Sequence, residues 1–204
     1  MSSTDDVRAP GERPNSPLPA RIFTIGHSNR PLEDFLSLLQ GHGVTLLVDV
    51  RTVPRSRHNP QFNASAIEES LRSAGVEYLA APGLGGWRRD TADSPNTGWR
   101  NASFRAYADY MLTPEFETHL QEMLQQVGGR QAALMCAEAV PWRCHRSLIA
   151  DALVVRGVAV EHIISAAKTQ PHVLHAWAHV DGTRITYPPQ EEALLPGTPD
   201  SGET

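Results

Sequence analysis

Five short apolar runs punctuate the chain, and each ends abruptly in polar residues: "RIFTIG" (21–26), "TLLVDV" (45–50), "VEYLAAP" (76–82), "QAALMCAE" (131–138) and "VAVEHII" (158–164). Runs this short and this continuously apolar suit strands covered on both faces, the condition met in parallel sheets. Helical patterns separate them. Leu32, Phe35, Leu36 and Leu39 recur at helical spacing after Pro31, with acidic residues in the first turn and Gly41 or Gly43 beyond. Asn63 is placed to cap a helix that ends at Ser73, before Gly75. Two further patterns pass through Phe104, Tyr107, Ala108 and Met111, then Phe116, Leu120, Met123, Leu124 and Val127, with Thr113-Pro114 as cap and first-turn pair. "PWRCHRSLIADALVVRG" (141–157) reads as a helix begun by Pro and ended by Gly, and "HVLHAWAHVDGTRITY" (172–187) as a hairpin around Asp181-Gly182. Strands alternating with amphipathic helices predict an α/β three-layer sandwich with a mostly parallel central sheet, Rossmann-like or flavodoxin-like.

At 204 residues the chain suits one well-buried domain. That domain is expected over residues 20–187. Residues 1–19 and the tail from Pro188, rich in Pro, Ser, Thr and acidic residues with little to bury, are expected to be disordered. A net charge of −5 argues against a protein that coats nucleic acid indiscriminately and leaves room for a local basic site. No apolar run is long enough to span a membrane. The first twenty residues lack the basic segment and apolar stretch of a secretory signal, and there are two cysteines, so a cytoplasmic protein with reduced thiols is expected.

In open parallel sheets ligands bind outside the carboxyl ends of the strands. Here polar clusters follow strand after strand: Gly26-His27-Ser28, Asp49-Val50-Arg51, Gly83 to Arg89, and Cys136-Ala137-Glu138. Four clusters on one edge make "VDVRTVPRSR" the mouth of a site rather than a surface turn. The irregular stretch 83–101 is long for a connection in a compact domain, which marks it as functional or disordered.

The sharpest element is "LMCAEAVPWRCHRSLIADAL". Cys136 should end a strand, with Cys144, His145 and Arg146 in the first turns of the next helix, where free N–H groups and the helix dipole favour anions and thiolates. His145 precedes Leu148, Ile149, Ala152 and Leu153 by three, four, seven and eight residues, so it should point inward with that stripe. Arg143 should face solvent. On a helix Cys144 would stand about 100° from His145, which argues against the two sharing a metal ion, and no compact zinc spacing is present. Cys136 to Arg143 spans seven positions, one longer than the phosphate loop of cysteine phosphatases. Both thiols are also compatible with small buried core residues. Glu138 is a candidate base or partner for Arg51 or Arg146. Asp49 is a turn cap or a ligand contact, and His27 beside Ser28 an anion-binding turn or a proton-transfer group.

Arg51, Arg55, Arg57, Arg88, Arg89, Arg100 and Arg146 gather near the proposed edge, interleaved with Trp87, Trp99 and Trp142. Arg matches phosphate and carboxylate geometry, and Trp offers a stacking face. Three functions remain open. One is a cysteine-dependent hydrolase or transferase acting on a small anionic, phosphate-bearing or nucleotide-like ligand. There Cys136 or Cys144 is the nucleophile and His145 or His27 its proton partner. Glu138 orients a neighbour, and Ser28, Asp49, Arg51, Arg55, Ser56, Trp87 and Arg146 bind substrate. The second is a non-catalytic nucleic-acid-binding module that depends on Arg88, Arg89 and Trp87. The third is a metal-dependent enzyme. No cofactor and no oligomeric state is indicated.

"TIGHS", "VDVRTVPRSR", "GLGG" and "LMCAE" followed by "CHR" resemble the DUF488 family, a family of unknown function, over about Arg21 to Ser165. The resemblance implies an α/β fold and marks His27, Ser28, Asp49, Arg51, Pro54, Ser56, Cys136, Glu138, Cys144, His145 and Arg146 as motif positions. It implies no reaction. "VDVR" also resembles a strand of rhodanese-like domains, which place their cysteine in a different local setting.

Overall fold

The alternation inside each apolar run decides which layer each side chain joins. A computed structural model describes residues 18–89 and 91–189; of the ends expected to be disordered, 1–19 and 188–204, all but residues 18, 19, 188 and 189 lie outside that span. Five parallel strands and one antiparallel edge strand form the central sheet in the order β3-β2-β4-β1-β5-β6. They are β1 (Arg21–Gly26), β2 (Leu46–Asp49), β3 (Glu77–Ala80), β4 (Ala132–Cys136), β5 (Ala159–Ser165) and β6 (Lys168–Pro171). Phe23, Ile25, Leu47, Ala133 and Met135 face α1 (Leu32–Gly41) and α2 (Ala64–Ser73). Ile22, Leu46, Val48, Ala132 and Leu134 face the opposite way, onto α3 (Ala102–Tyr110), α4 (Pro114–Val127) and α5 (Arg146–Val154). The result is the expected three-layer α/β sandwich with a mostly parallel sheet. A separate hairpin, β7 (His179–Asp181) and β8 (Arg184–Thr186), turns at Gly182 as expected but is shorter than the 172–187 stretch. Edge strand β6 was not read from the sequence.

One local expectation holds in detail and another only in position. Thr113 caps α4 by accepting from the Phe116 N–H at 3.2 Å, with Pro114 in the first turn. Asn63 does precede α2, but it makes no cap bond. Its Oδ1 instead accepts the Ser56 N–H at 2.7 Å, pinning the loop after β2. Residues 91–96 of the irregular stretch are also tied down. Asp109 on α3 accepts from Thr91, Ser94 and Asn96, while buried Asn96 accepts the Tyr187 N–H.

The largest departure lies before α5. Residues Pro141–Arg143 form one 3-10 turn, Cys144 is extended (φ −131°, ψ 144°), His145 stands at the N-cap position, and the helix begins only at Arg146. Pro141 starts a turn that cannot run on, because Cys144 leaves helical geometry to reach under the end of β4. The 100° separation expected of Cys144 and His145 therefore does not apply.

Candidate functional site

Parallel strands end on one edge, and chain segments leaving β1, β2, β3 and β4 meet there around a cavity of about 660 Å³. His27 and Ser28 come from β1. Arg51, Thr52, Val53, Arg55 and Ser56 follow β2, Gly86 and Trp87 come from the segment after β3, and Cys136 to Glu138 from β4; Arg143 to His145 complete the wall. The "VDVRTVPRSR" stretch thus lines a mouth. Close approach demands glycine at two points. A Cβ on Gly26 would lie 1.9 Å from the Glu138 carbonyl oxygen, and one on Gly86 would lie 2.6 Å from His145 Nδ1. Ser28 holds φ at +50°, an uncommon value for a residue with a side chain, and its N–H donates to the Ala137 carbonyl at 2.8 Å.

The two cysteines, both free and buried, sit side by side in this wall. Cys144 Sγ is approached by the Nε of buried Arg146 at 3.4 Å and by Nδ1 of its neighbour His145 at 3.7 Å. The other ring nitrogen, Nε2, donates to the Val50 carbonyl at 3.2 Å, which leaves Nδ1 for the sulfur. The two sulfurs lie within 4.8 Å of one another, and their interaction divides them. It lowers the Cys144 pKa well below the ordinary thiol value, against burial and with help from His145 and Arg146. The same interaction, with burial, pushes Cys136 upward. A single negative charge on the pair therefore rests on Cys144. The Cys136, Cys144 and His145 donor atoms lie within 4.8 Å of one another, so together they could also hold a soft metal ion. The helical-spacing objection to that arrangement falls with the break before α5.

Other candidates take roles different from those expected. Arg146 does not line the cavity. It is sealed behind Cys144, its Nη1 on Thr24 Oγ1 at 3.3 Å and its Nη2 on the Glu138 carbonyl. Asp49 is also behind the wall, where both carboxylate oxygens hold the Arg51 guanidinium, at 2.8 and 2.5 Å, and Tyr78 donates its hydroxyl. Arg51 reaches the wall with four of its five N–H donors committed: two to Asp49, one to the Phe62 carbonyl and one to His27 Nε2. His27 is thus occupied on both ring nitrogens, since Nδ1–H donates to the Ser28 carbonyl, and it stacks on Phe62 at 4.3 Å. Burial, together with Arg51 nearby, lowers its pKa, so it is neutral and positions Arg51. The Glu138 carboxylate pairs with neither Arg51 nor Arg146; it accepts the Val140 N–H.

Arg55 and Ser56 line the mouth, Arg55 exposed. Trp87 is 77% exposed on the wall. Trp99 packs instead among Phe104, His175, Trp177 and Tyr187, and Arg88 lies over the Tyr110 ring while donating to the Gly83 and Gly85 carbonyls. Sequence reasoning missed Asn29, Thr52, Asn59, Ser103 and Phe104 as wall residues. Ser103 and Phe104 carry no motif, whereas Asn29, Thr52 and Asn59 sit beside motif positions. Arg143, expected to face solvent, does so from the cavity rim.

Residues 31–153 match the family model described as a domain of unknown function, DUF488. The chain belongs to the DUF488 family. The matched span holds the β2, β4 and α5 ends of the cavity and stops short of β5 and everything after it; the Gly26-His27-Ser28 corner precedes it. No curated protein and no solved structure matches this DUF488 chain. No helix among the described residues is long and apolar enough to cross a membrane.

Proposed function

We infer that the protein is an enzyme that uses the Cys144 thiolate on a small anionic substrate, phosphate-bearing or nucleotide-like. The asymmetry of the thiol pair carries this reading: Arg146 and His145 converge on Cys144 in a cavity wall, and Cys136 keeps the proton. A buried structural cysteine needs neither partner. Arg55 and Arg143 on the rim supply charge for the anion, in place of the internally committed Arg51 and Arg146. Trp87 offers a stacking face for a base. In the reaction, the Cys144 thiol passes its proton to His145 Nδ1, and Sγ attacks the phosphorus or acyl carbon as the bond to the leaving oxygen breaks. That oxygen takes a proton from His145 Nδ1, and water or an acceptor then releases the covalent intermediate.

The test is a turnover screen of phosphorylated compounds with Cys144→Ser and Cys136→Ser. Loss of turnover with retained substrate binding in Cys144→Ser is expected; full turnover in that variant refutes the nucleophile.

A metal centre at Cys136, Cys144 and His145 is the second reading, favoured by the closeness of their donor atoms. Stoichiometric zinc in freshly purified protein, lost in Cys136→Ser, would replace the nucleophile with a metal-bound water. The nucleic-acid reading loses Arg88, engaged within the fold, and keeps the exposed Trp87.

A further inference from the structure

Away from the cavity, the carboxylate of Asp151 is fully buried in α5 and faces two histidines from the segment after β6. His172 Nε2 reaches Oδ1 at 2.7 Å, and His175 Nδ1 reaches Oδ2 at 2.5 Å. The Tyr187 hydroxyl donates to Oδ2 at 2.6 Å. Among the described residues, the ion-pair partners of Asp151 are these two imidazoles alone. The His175 backbone N–H adds a fourth hydrogen bond to the carboxylate, at 3.4 Å.

Behind the first layer stands an ordered second one. His172 Nδ1 meets His162 Nε2 at 3.1 Å, and His162 Nδ1 meets Thr24 Oγ1 at 2.7 Å. Histidines that ligate metals are held in this manner through their other nitrogen, which fixes ring and tautomer. The chain works in either direction. If His172 carries its proton on Nε2, it donates to Asp151 and accepts from His162. If a metal takes Nε2, the proton sits on Nδ1 and is donated to His162, whose own Nδ1–H is donated to Thr24. Trp99 and Trp177 close over His175 with ring centroids at 5.0 Å, giving the group an apolar lid.

We propose that Asp151, His172 and His175 form a binding site for a transition-metal ion of the zinc class, separate from the cysteine pair. Their donor atoms lie within 4.8 Å of one another, a two-nitrogen, one-oxygen set suited to Zn²⁺ or Co²⁺. Ligands of one such ion stand roughly 3.4 Å apart at metal bonds of about 2.1 Å. The rings and carboxylate therefore part slightly as the ion replaces the two ring N–H bridges. Both histidines lie beyond the residues matched by the family model, while Asp151 lies within them.

The test uses full-length protein with Cys136→Ser and Cys144→Ser together, stripped with chelator and titrated with Co²⁺. One equivalent should bind and give visible d–d absorption without a sulfur charge-transfer band. His175→Gln should abolish it, and His162→Phe should weaken it about 10–100-fold. No binding to the double-serine protein, or binding indifferent to His175→Gln, overturns the proposal. Should the double-serine chain fail to fold, the wild-type protein is titrated against His175→Gln: one fewer Co²⁺ bound supports the site, and equal stoichiometry overturns it. Because the cysteines are absent from the first arm, failure here leaves the thiolate reading standing, and failure of that reading leaves this site standing.

Discussion

Replacing Arg146 with Met should move the pH midpoint of Cys144 alkylation upward by about one to three pH units. The guanidinium Nε lies 3.4 Å from Cys144 Sγ. Two unit charges at that distance attract by about 5 kcal/mol at an effective dielectric of 20, which sets the ceiling; a partner this close ordinarily shifts a pKa by less. The direction follows from the charge. Alkylation needs the thiolate, so its rate rises with pH through the folded-state pKa of Cys144, which stands well below the ordinary thiol value. Loss of the cation favours the neutral thiol and carries the midpoint towards about 8.5. The assay is iodoacetamide labelling followed by mass spectrometry that separates Cys136 from Cys144, from pH 5 to 9. Wild-type Cys144 should react first, with Cys136 protected across the range. Arg146→Lys keeps the charge without the planar fork and should move the midpoint less. Because Arg146 also holds Thr24 and the Glu138 carbonyl, the Met variant should lose about 3–5 kcal/mol of stability, and labelling belongs at low temperature with the fold checked by circular dichroism. An unchanged midpoint in folded Arg146→Met refutes the part assigned to Arg146, and a wild-type Cys144 inert until unfolding refutes the activated thiolate.

Asp49→Ala leaves Arg51 charged and unpaired beneath the wall and should cost about 3–5 kcal/mol in urea unfolding; a loss under about 1 kcal/mol would show the pair to be dispensable. Gly86→Ala puts a methyl group against His145 and should slow Cys144 labelling at neutral pH, an effect absent if His145 is a bystander. Trp87→Ala should leave stability within about 0.5 kcal/mol. The same change should weaken nucleotide binding by about 1–3 kcal/mol if a base stacks there, as isothermal titration would read.

Much of the architecture was legible because a strand covered on both faces must be apolar throughout, and few other arrangements accept "LLVDV" or "AALMC". The place of the site followed from the same argument, since parallel strands deliver their carboxyl ends to one edge. Residues such as Cys144 were less legible. A proline at 141 followed by an apolar stripe looks like a helix start, and only three-dimensional packing shows the chain unwinding at Cys144 before α5 begins. Arginine roles were hidden for a different reason. Sequence displays a charge without displaying which donors are already spent, so Arg51 and Arg146, held by Asp49, Phe62, Thr24 and Glu138, were indistinguishable from Arg55. The Asp151 cluster left a fainter trace: one acid within the apolar "LIADALV" and a His-x-x-His at 172–175.

These arginines also divide two roles within the proposed function. Arg146 is held by a backbone carbonyl and a hydroxyl of the sheet, so its charge stays beside Cys144 whatever occupies the cavity. Arg55 and Arg143 carry the opposite property: exposed on the rim, they can be exchanged with little loss of stability. In the proposed function, reactivity is thus built into the frame and ligand choice into its margin. A substitution at the rim should change which anion binds while leaving the labelling midpoint of Cys144 in place, and a substitution behind the wall should do the reverse.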